Sequence, residues 1–176
     1  MRIFVGIDLS KESKDELYRI QKLISPSLAK IKWIPRKNLH LTLKFIGEVK
    51  DINEIHNRLS KINLKPFKLK LGNFGTFPSW EKINVFWVDL NPHNEIIQFQ
   101  QKIDEELFNF SNKYQKFSPH LTLGRIKSIK KKKEFLDLIK SIKVKPIEFE
   151  INEFQLIQSK LSKDGSKFTV LKKYKS

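Results

Sequence analysis

Cysteine is absent from the 176-residue chain. That excludes disulfides, thiolate nucleophiles and thiolate metal sites. Long apolar runs are missing too, and no stretch approaches the ~20 residues that cross a bilayer. The opening segment "RIFVGIDL" carries an Asp and leads into a charged stretch, which is not the build of a secretory leader. A cytoplasmic location is the expectation. No stretch rich in Gly, Ser or Pro divides the chain, so residues 1–176 are expected to form a single domain, with two lobes. Acidic residues are few, 19 against 35 basic ones, for a formal charge of +16. Arginine is rare within that excess: Arg2, Arg19, Arg36, Arg58 and Arg125 are the only five.

A cationic surface favours a polyanionic partner, because lysines near phosphates release condensed counterions. A lysine-heavy surface also arises from compositional bias or adaptation to heat. Charge alone therefore leaves nucleic-acid binding and a merely basic surface both open. The 39% of hydrophobic residues, with 14 Phe and 3 Trp, suffice for a core.

Periodicity predicts a strand over 2–9, then a helix capped by Ser10 with Leu17, Ile20, Leu23 and Ile24 inward. A short extended piece follows at "KWIP", then a strand "LHLTLKFIG" closed by Gly47. Residues 51–62 read as a helix with Asp51 as cap. "FKLKLGNFGTF" alternates as a half-wet strand, and "INVFWVDL" is apolar enough for a central one. "NEIIQFQQKIDEELFNF" is an amphipathic helix. "HLTLGRI" is a strand, and Lys127 with Lys130–Lys133 is expected to open another helix. "IEFEINEFQLIQSKL" reads as strand broken near Asn152. "KDG" at 163–165 is a hairpin turn into "KFTVLKKY". Mixed elements with a tight hairpin and alternating strands indicate an α+β fold with antiparallel pairing.

Two of the four histidines open the same word, His40-Leu41-Thr42-Leu43 and His120-Leu121-Thr122-Leu123. On a strand, His40 and Thr42 share one face, as do His120 and Thr122, while the leucines face the core. One such word is usually an ordinary buried strand. Two matching words suggest two halves of a site in which imidazoles flank a phosphorus atom and hydroxyls bind its non-bridging oxygens. Histidine serves as base on one side and acid on the other, because its ordinary pKa lies near neutrality. This design requires no metal or other cofactor.

The paired words resemble the two His-x-Thr-x motifs of the 2H phosphoesterases. Within that superfamily the chain is similar to the RNA 2′,3′-cyclic phosphodiesterases, historically called 2′-5′ RNA ligases. The likeness includes "KWIPRKNLHLTLKFIGEV", "FGTFPS", "VFWVDL", "FSPHLTLGRIK" and "LIQSKLSKDGSKFTVLKKY". It implies a bilobal fold with pseudo-two-fold symmetry, two antiparallel sheets lining a central groove and helices outside. It also implies metal-independent hydrolysis of a terminal 2′,3′-cyclic phosphate to a 2′-phosphomonoester, with 2′-5′ ligation as the reverse. His120 is then the base and His40 the acid, although near-symmetry leaves the roles exchangeable. The implied partner is RNA with 2′,3′-cyclic phosphate ends, tRNA-derived ends included, acted on by a monomer.

Arg125 ends the second word and is expected to bind phosphate through its planar fork, with Gly124 supplying a bend that turns it inward. The competing role is a strand-end charge. Phe45 holds the same offset after His40 and is a candidate to stack on a base, or else a core residue. Lys44 shares parity with His40 and is expected to face the groove unless it is merely a solvated strand end. His56 and His93 are expected at the surface, and the lysine cluster 127–133 as a solvated face or, alternatively, a patch that steers RNA backbones towards the groove. A non-catalytic RNA-binding module of the same fold, or a phosphodiesterase for another nucleotide cyclic phosphate, remains the alternative.

Overall fold

A computed structural model describes residues 1–111 and 116–176. The strands are β1 (Arg2–Asp8), β2 (Ala29–Trp33), β3 (His40–Glu48), β4 (Phe67–Pro78), β5 (Ile83–Asn91), β6 (His120–Ile129), β7 (Glu148–Ile151), β8 (Glu153–Ser162) and β9 (Gly165–Lys175). The helices are α1 (Lys11–Leu23), α2 (Asn53–Leu59), α3 (His93–Glu106) and α4 (Lys132–Ser141), with 3-10 turns at Arg36–Asn38 and Phe108–Phe110. All strand pairings are antiparallel. They form a four-stranded sheet, β3-β1-β8-β9, and a five-stranded sheet, β2-β6-β5-β4-β7.

Local chemistry accounts for the boundaries. Ser10 caps α1 by accepting a hydrogen bond from the Ser13 N–H at 3.2 Å, satisfying a donor that the first turn leaves orphaned. Asp51 accepts from the Asn53 N–H at 2.8 Å at the start of α2. β7 and β8 are separated at Asn152, as the sequence predicts. Lys127 departs from its expected place at a helix start. β6 pairs with β2 through Ile129↔Ala29, and the Lys130 and Lys131 N–H groups both donate to Leu28 O, so the chain stays extended until α4.

The chain crosses repeatedly between the two sheets. α1 follows β1 of the four-stranded sheet, yet its buried Gln21 bonds to β6 of the other. α3 follows β5 of the five-stranded sheet, yet its buried Gln100 bonds to β3 of the first. Each half of the chain thus braces the other half's motif strand. Leu39, Leu41, Leu43, Leu121 and Leu123 belong to one buried cluster with residues from α1, α3 and α4. Truncating Leu41 or Leu121 to Ala would cost about 2–5 kcal/mol, the lost burial plus the cavity left behind.

Candidate active site

β3 and β6 contact one another, so the fold brings the two motif strands together. His40 and His120 are the first residues of those strands. The two imidazoles are anchored alike. His40 Nδ1 lies 2.6 Å from Asn38 O and His120 Nδ1 lies 2.7 Å from Ser118 O. A carbonyl can only accept, so Nδ1 carries the proton in both neutral rings and Nε2 is the basic atom. His40 Nε2 then accepts from the Thr42 hydroxyl at 2.8 Å. Among the described residues, no hydrogen bond holds His120 Nε2.

Each motif continues into a bulge at the same place. Val5 pairs with Lys44 and Gly6 with Thr42, which leaves Leu43 as the extra residue on β3. Phe86 pairs with Gly124 and Trp87 with Thr122, which leaves Leu123 extra on β6. A bulge resets the in–out alternation of its strand. Phe45 therefore joins the His40 face, where it is 57% exposed and lies 5.9 Å from the Phe4 ring. Arg125 joins the His120 face and is exposed. Lys44 turns the other way, contrary to its parity: its ammonium is buried against α3 and meets Asp104 at 2.5 Å. The expected bend at Gly124 is this bulge. Glycine stands at 124 because a Cβ would lie 2.7 Å from the Trp33 ring.

Bulges free backbone carbonyls from the ladder, and a buried carbonyl needs a donor. Gln100 of α3 donates to Leu43 O at 3.2 Å; Gln21 of α1 donates to Ile34 O at 2.8 Å and, beside the Ile34 N–H at 2.9 Å, to Leu123 O at 2.9 Å. Both glutamines are buried, 5% and 4% exposed. They hold the two turns of backbone that aim Phe45 and Arg125.

An aspartate stands opposite each histidine, Asp8↔His40 and Asp89↔His120. Each carboxylate accepts from the next N–H, Leu9 at 3.0 Å and Leu90 at 2.8 Å. Asp8 pairs with Lys14 at 2.7 Å and Asp89 with His93 at 2.9 Å. Aromatic rings flank both imidazoles. Phe4 is 4.9 Å and Phe168 5.1 Å from His40, and Phe77 is 5.4 Å and Trp87 6.4 Å from His120. Loss of hydration beneath these rings pushes His40 below the usual histidine range; the Asn38 carbonyl and Asp8 oppose the shift, and Lys14 adds to it. Gly6 clears this space, since a Cβ there would lie 3.2 Å from the Phe4 ring and 3.5 Å from His40.

Lys32 of β2 is the register partner of Arg125. Two like charges directly opposite one another repel unless an anion lies between them. Among the described residues, the lysine ion pairs fall on Lys14, Lys44, Lys68 and Lys173, and the arginine pairs on Arg19, Arg36 and Arg58. Lys32 and Arg125 are left available for an anion. Sequence alternation alone gave Lys32 no distinction from its neighbours. His56 bonds to Tyr174 at 3.0 Å instead of joining the motif histidines. No group of three or more His, Asp or Glu side chains among the described residues is placed to hold a metal ion. No described helix is long and apolar enough to cross a membrane.

The profile of a family described as LigT like Phosphoesterase matches residues 7–87 and again residues 88–168, once for each half. An RNA 2′,3′-cyclic phosphodiesterase of Methanocaldococcus jannaschii is 35% identical over 178 residues, covering 99% of this chain and 100% of the relative. A protein of the same name from Archaeoglobus fulgidus is 31% identical over 94% of both chains. A crystal structure of a Thermus thermophilus protein shares the fold, with a TM-score of 0.80, 23% identity, and coverage of 99% of this chain and 97% of that one.

Proposed function

The chain belongs to the LigT-like phosphoesterases of the 2H superfamily, and from that membership we propose that it hydrolyses terminal 2′,3′-cyclic phosphates of RNA to 2′-phosphomonoesters. The observation that carries this reading is the matched pair of imidazoles, each tethered through Nδ1 so that Nε2 is the reactive nitrogen. The residues 1–176 act as a single bilobal domain, cytoplasmic and monomeric, and no metal takes part.

His40 is the base. Its depressed pKa favours the neutral imidazole, so Nε2 can take a proton from water. The water oxygen attacks phosphorus, the P–O3′ bond breaks in line, and His120 protonates the departing 3′-oxygen. This exchanges the roles that the family resemblance implied, and the cause is the burial of His40. Substrate binding turns the Thr42 hydroxyl proton from Nε2 to a non-bridging oxygen, which frees the single Nε2 lone pair for the water proton. Thr122 serves the other non-bridging oxygen. Arg125, with Lys32 opposite, holds the phosphate, and Phe45 stacks on the terminal base. A 5′-hydroxyl in place of water would give a 2′-5′ linkage by the same steps, so ligation is the minor outcome in water.

The test is product analysis. A 2′,3′-cyclic mononucleotide treated with the protein in EDTA should give the 2′-phosphate, read by phosphorus NMR. The 3′-phosphate as product, or activity that EDTA abolishes, would reject this reading. RNA binding with no turnover of any cyclic phosphate would favour a non-catalytic module, and turnover confined to ADP-ribose 1″,2″-cyclic phosphate would favour another nucleotide substrate.

A further inference from the structure

The motif face of the four-stranded sheet extends beyond His40. Register places Phe4, Gly6 and Asp8 of β1 beside it, then Gln155 and Ile157 of β8, then Phe168 and Val170 of β9. On this face a cavity of about 260 Å³ opens next to His40, walled by Lys37, Gln155, Lys167, Phe168 and Val170. It is smaller than the roughly 300–1,000 Å³ of ordinary ligand pockets, so it suits one nucleoside-sized group.

The walls of the cavity are built in. Asn38 is 6% exposed, and its side-chain amide donates to Ser166 O at 2.8 Å while its own carbonyl holds His40 Nδ1. One residue thus ties the β8–β9 hairpin to the histidine. Gln155 is 5% exposed, and its Nε2 donates to Glu153 at 2.9 Å, which leaves the amide oxygen as an acceptor. Phe168 and Val170 supply apolar surface, and Val170 is 44% exposed. Lys37 and Lys167 are exposed and stand outside the lysine ion pairs among the described residues. Asp8 also lines the cavity, and Lys14 neutralises it at 2.7 Å.

We propose that this cavity is a subsite for the nucleotide immediately 5′ of the one bearing the cyclic phosphate, a step that rests on the phosphodiesterase reading. A cyclic phosphate closes the 3′ end, so attached RNA can continue only in the 5′ direction. Phe45 and Phe168 lie on either side of Phe4, at 5.9 and 5.1 Å, so the two can serve two successive bases. The penultimate base packs on Phe168 and Val170 with Gln155 at its edge. Lys37 and Lys167 hold the phosphate that joins the two nucleotides.

The experiment compares kcat/KM for a 2′,3′-cyclic mononucleotide with kcat/KM for a dinucleotide ending in the same cyclic phosphate. The wild type should prefer the dinucleotide by about tenfold or more, the worth of one stacked base. The double variant Lys37→Ala/Lys167→Ala, and separately Val170→Asp, should lose most of that preference, while the mononucleotide value moves by about twofold at most, as expected for exposed positions. An unchanged preference, no preference in the wild type, or mononucleotide activity falling in step would each overturn the subsite. A wild type that turns over neither substrate would instead overturn the phosphodiesterase reading beneath it.

Discussion

On β3, His40 is covered by Phe4 and Phe168, bonds to Thr42, and is followed across a bulge by Phe45. On β6, His120 stands edge-on to Phe77 and is followed across the matching bulge by Arg125. The parts that hold the imidazoles are the same on both strands: a carbonyl on Nδ1, an opposed aspartate, and a buried glutamine on the bulge carbonyl. The parts that differ face outward. In the proposed function an aromatic ring meets one end of the substrate and a guanidinium the other; the partner of the aspartate is a lysine in one half and a histidine in the other. In the proposed function, symmetry in the scaffold fixes two reactive nitrogens, the burial of His40 gives them different work, and the rims take different parts of the substrate.

The comparison breaks hardest at the histidines. His40→Ala and His120→Ala should each lower kcat on a cyclic mononucleotide by about 10²–10⁴-fold, the usual share of acid or base catalysis. Wild-type turnover in either would end the idea of a shared site. At the rim, Arg125→Met should raise KM by roughly 10–100-fold for the loss of a charged hydrogen bond. That loss should shrink in high salt. Phe45→Ala should weaken binding by about 1–3 kcal/mol with little salt dependence, since stacking is not a charge effect. Equal salt sensitivity in the two variants would erase the distinction between the rims.

The glutamines sharpen the same point. Gln100→Met takes the side-chain donor from Leu43 O and Gln21→Met takes it from Ile34 O, while Leu123 O keeps the Ile34 N–H; each should cost about 1–3 kcal/mol in urea unfolding. Gln100→Met should then show the kinetic defect of Phe45→Ala, and Gln21→Met that of Arg125→Met. A stability loss with unchanged KM would leave the glutamines as packing alone.

The smallest effect is in pH. The folded-state pKa of His40 is depressed, so the unfolded chain binds the extra proton first as pH falls. The neutral ring's contribution to stability is complete above the unfolded value of about 6.5 and drains away as pH drops through the folded value. His40→Gln should flatten this slope. By NMR the His40 ring should titrate below about 6.5, and a value above it would remove the ground for making His40 the base.

Much of this architecture is legible in the chain itself. Leucine alternation around His40 and His120 places both words on strands, and the spacing of Leu17, Ile20 and Ile24 marks α1. The bulges are not legible, because Leu43 and Leu123 continue the alternation of Leu41 and Leu121 without a break. That is why parity sent Lys44 towards the groove, when the bulge turns it onto Asp104. Gln21 and Gln100 look like polar positions on amphipathic helices. Their acceptors on the motif strands, Leu123 O and Leu43 O, lie 102 and 57 residues away, beyond the reach of any local pattern. Lys127 reads as part of a helix-opening lysine run, and only the β2–β6 pairing shows it to be strand.

The most direct measurement is kcat of the double variant His40→Ala/His120→Ala beside the two singles. If the imidazoles act on one phosphate as a unit, the double should be about as slow as the slower single, because each already disables the other. Losses that multiply would show two independent contributions and contradict the single, two-sided site.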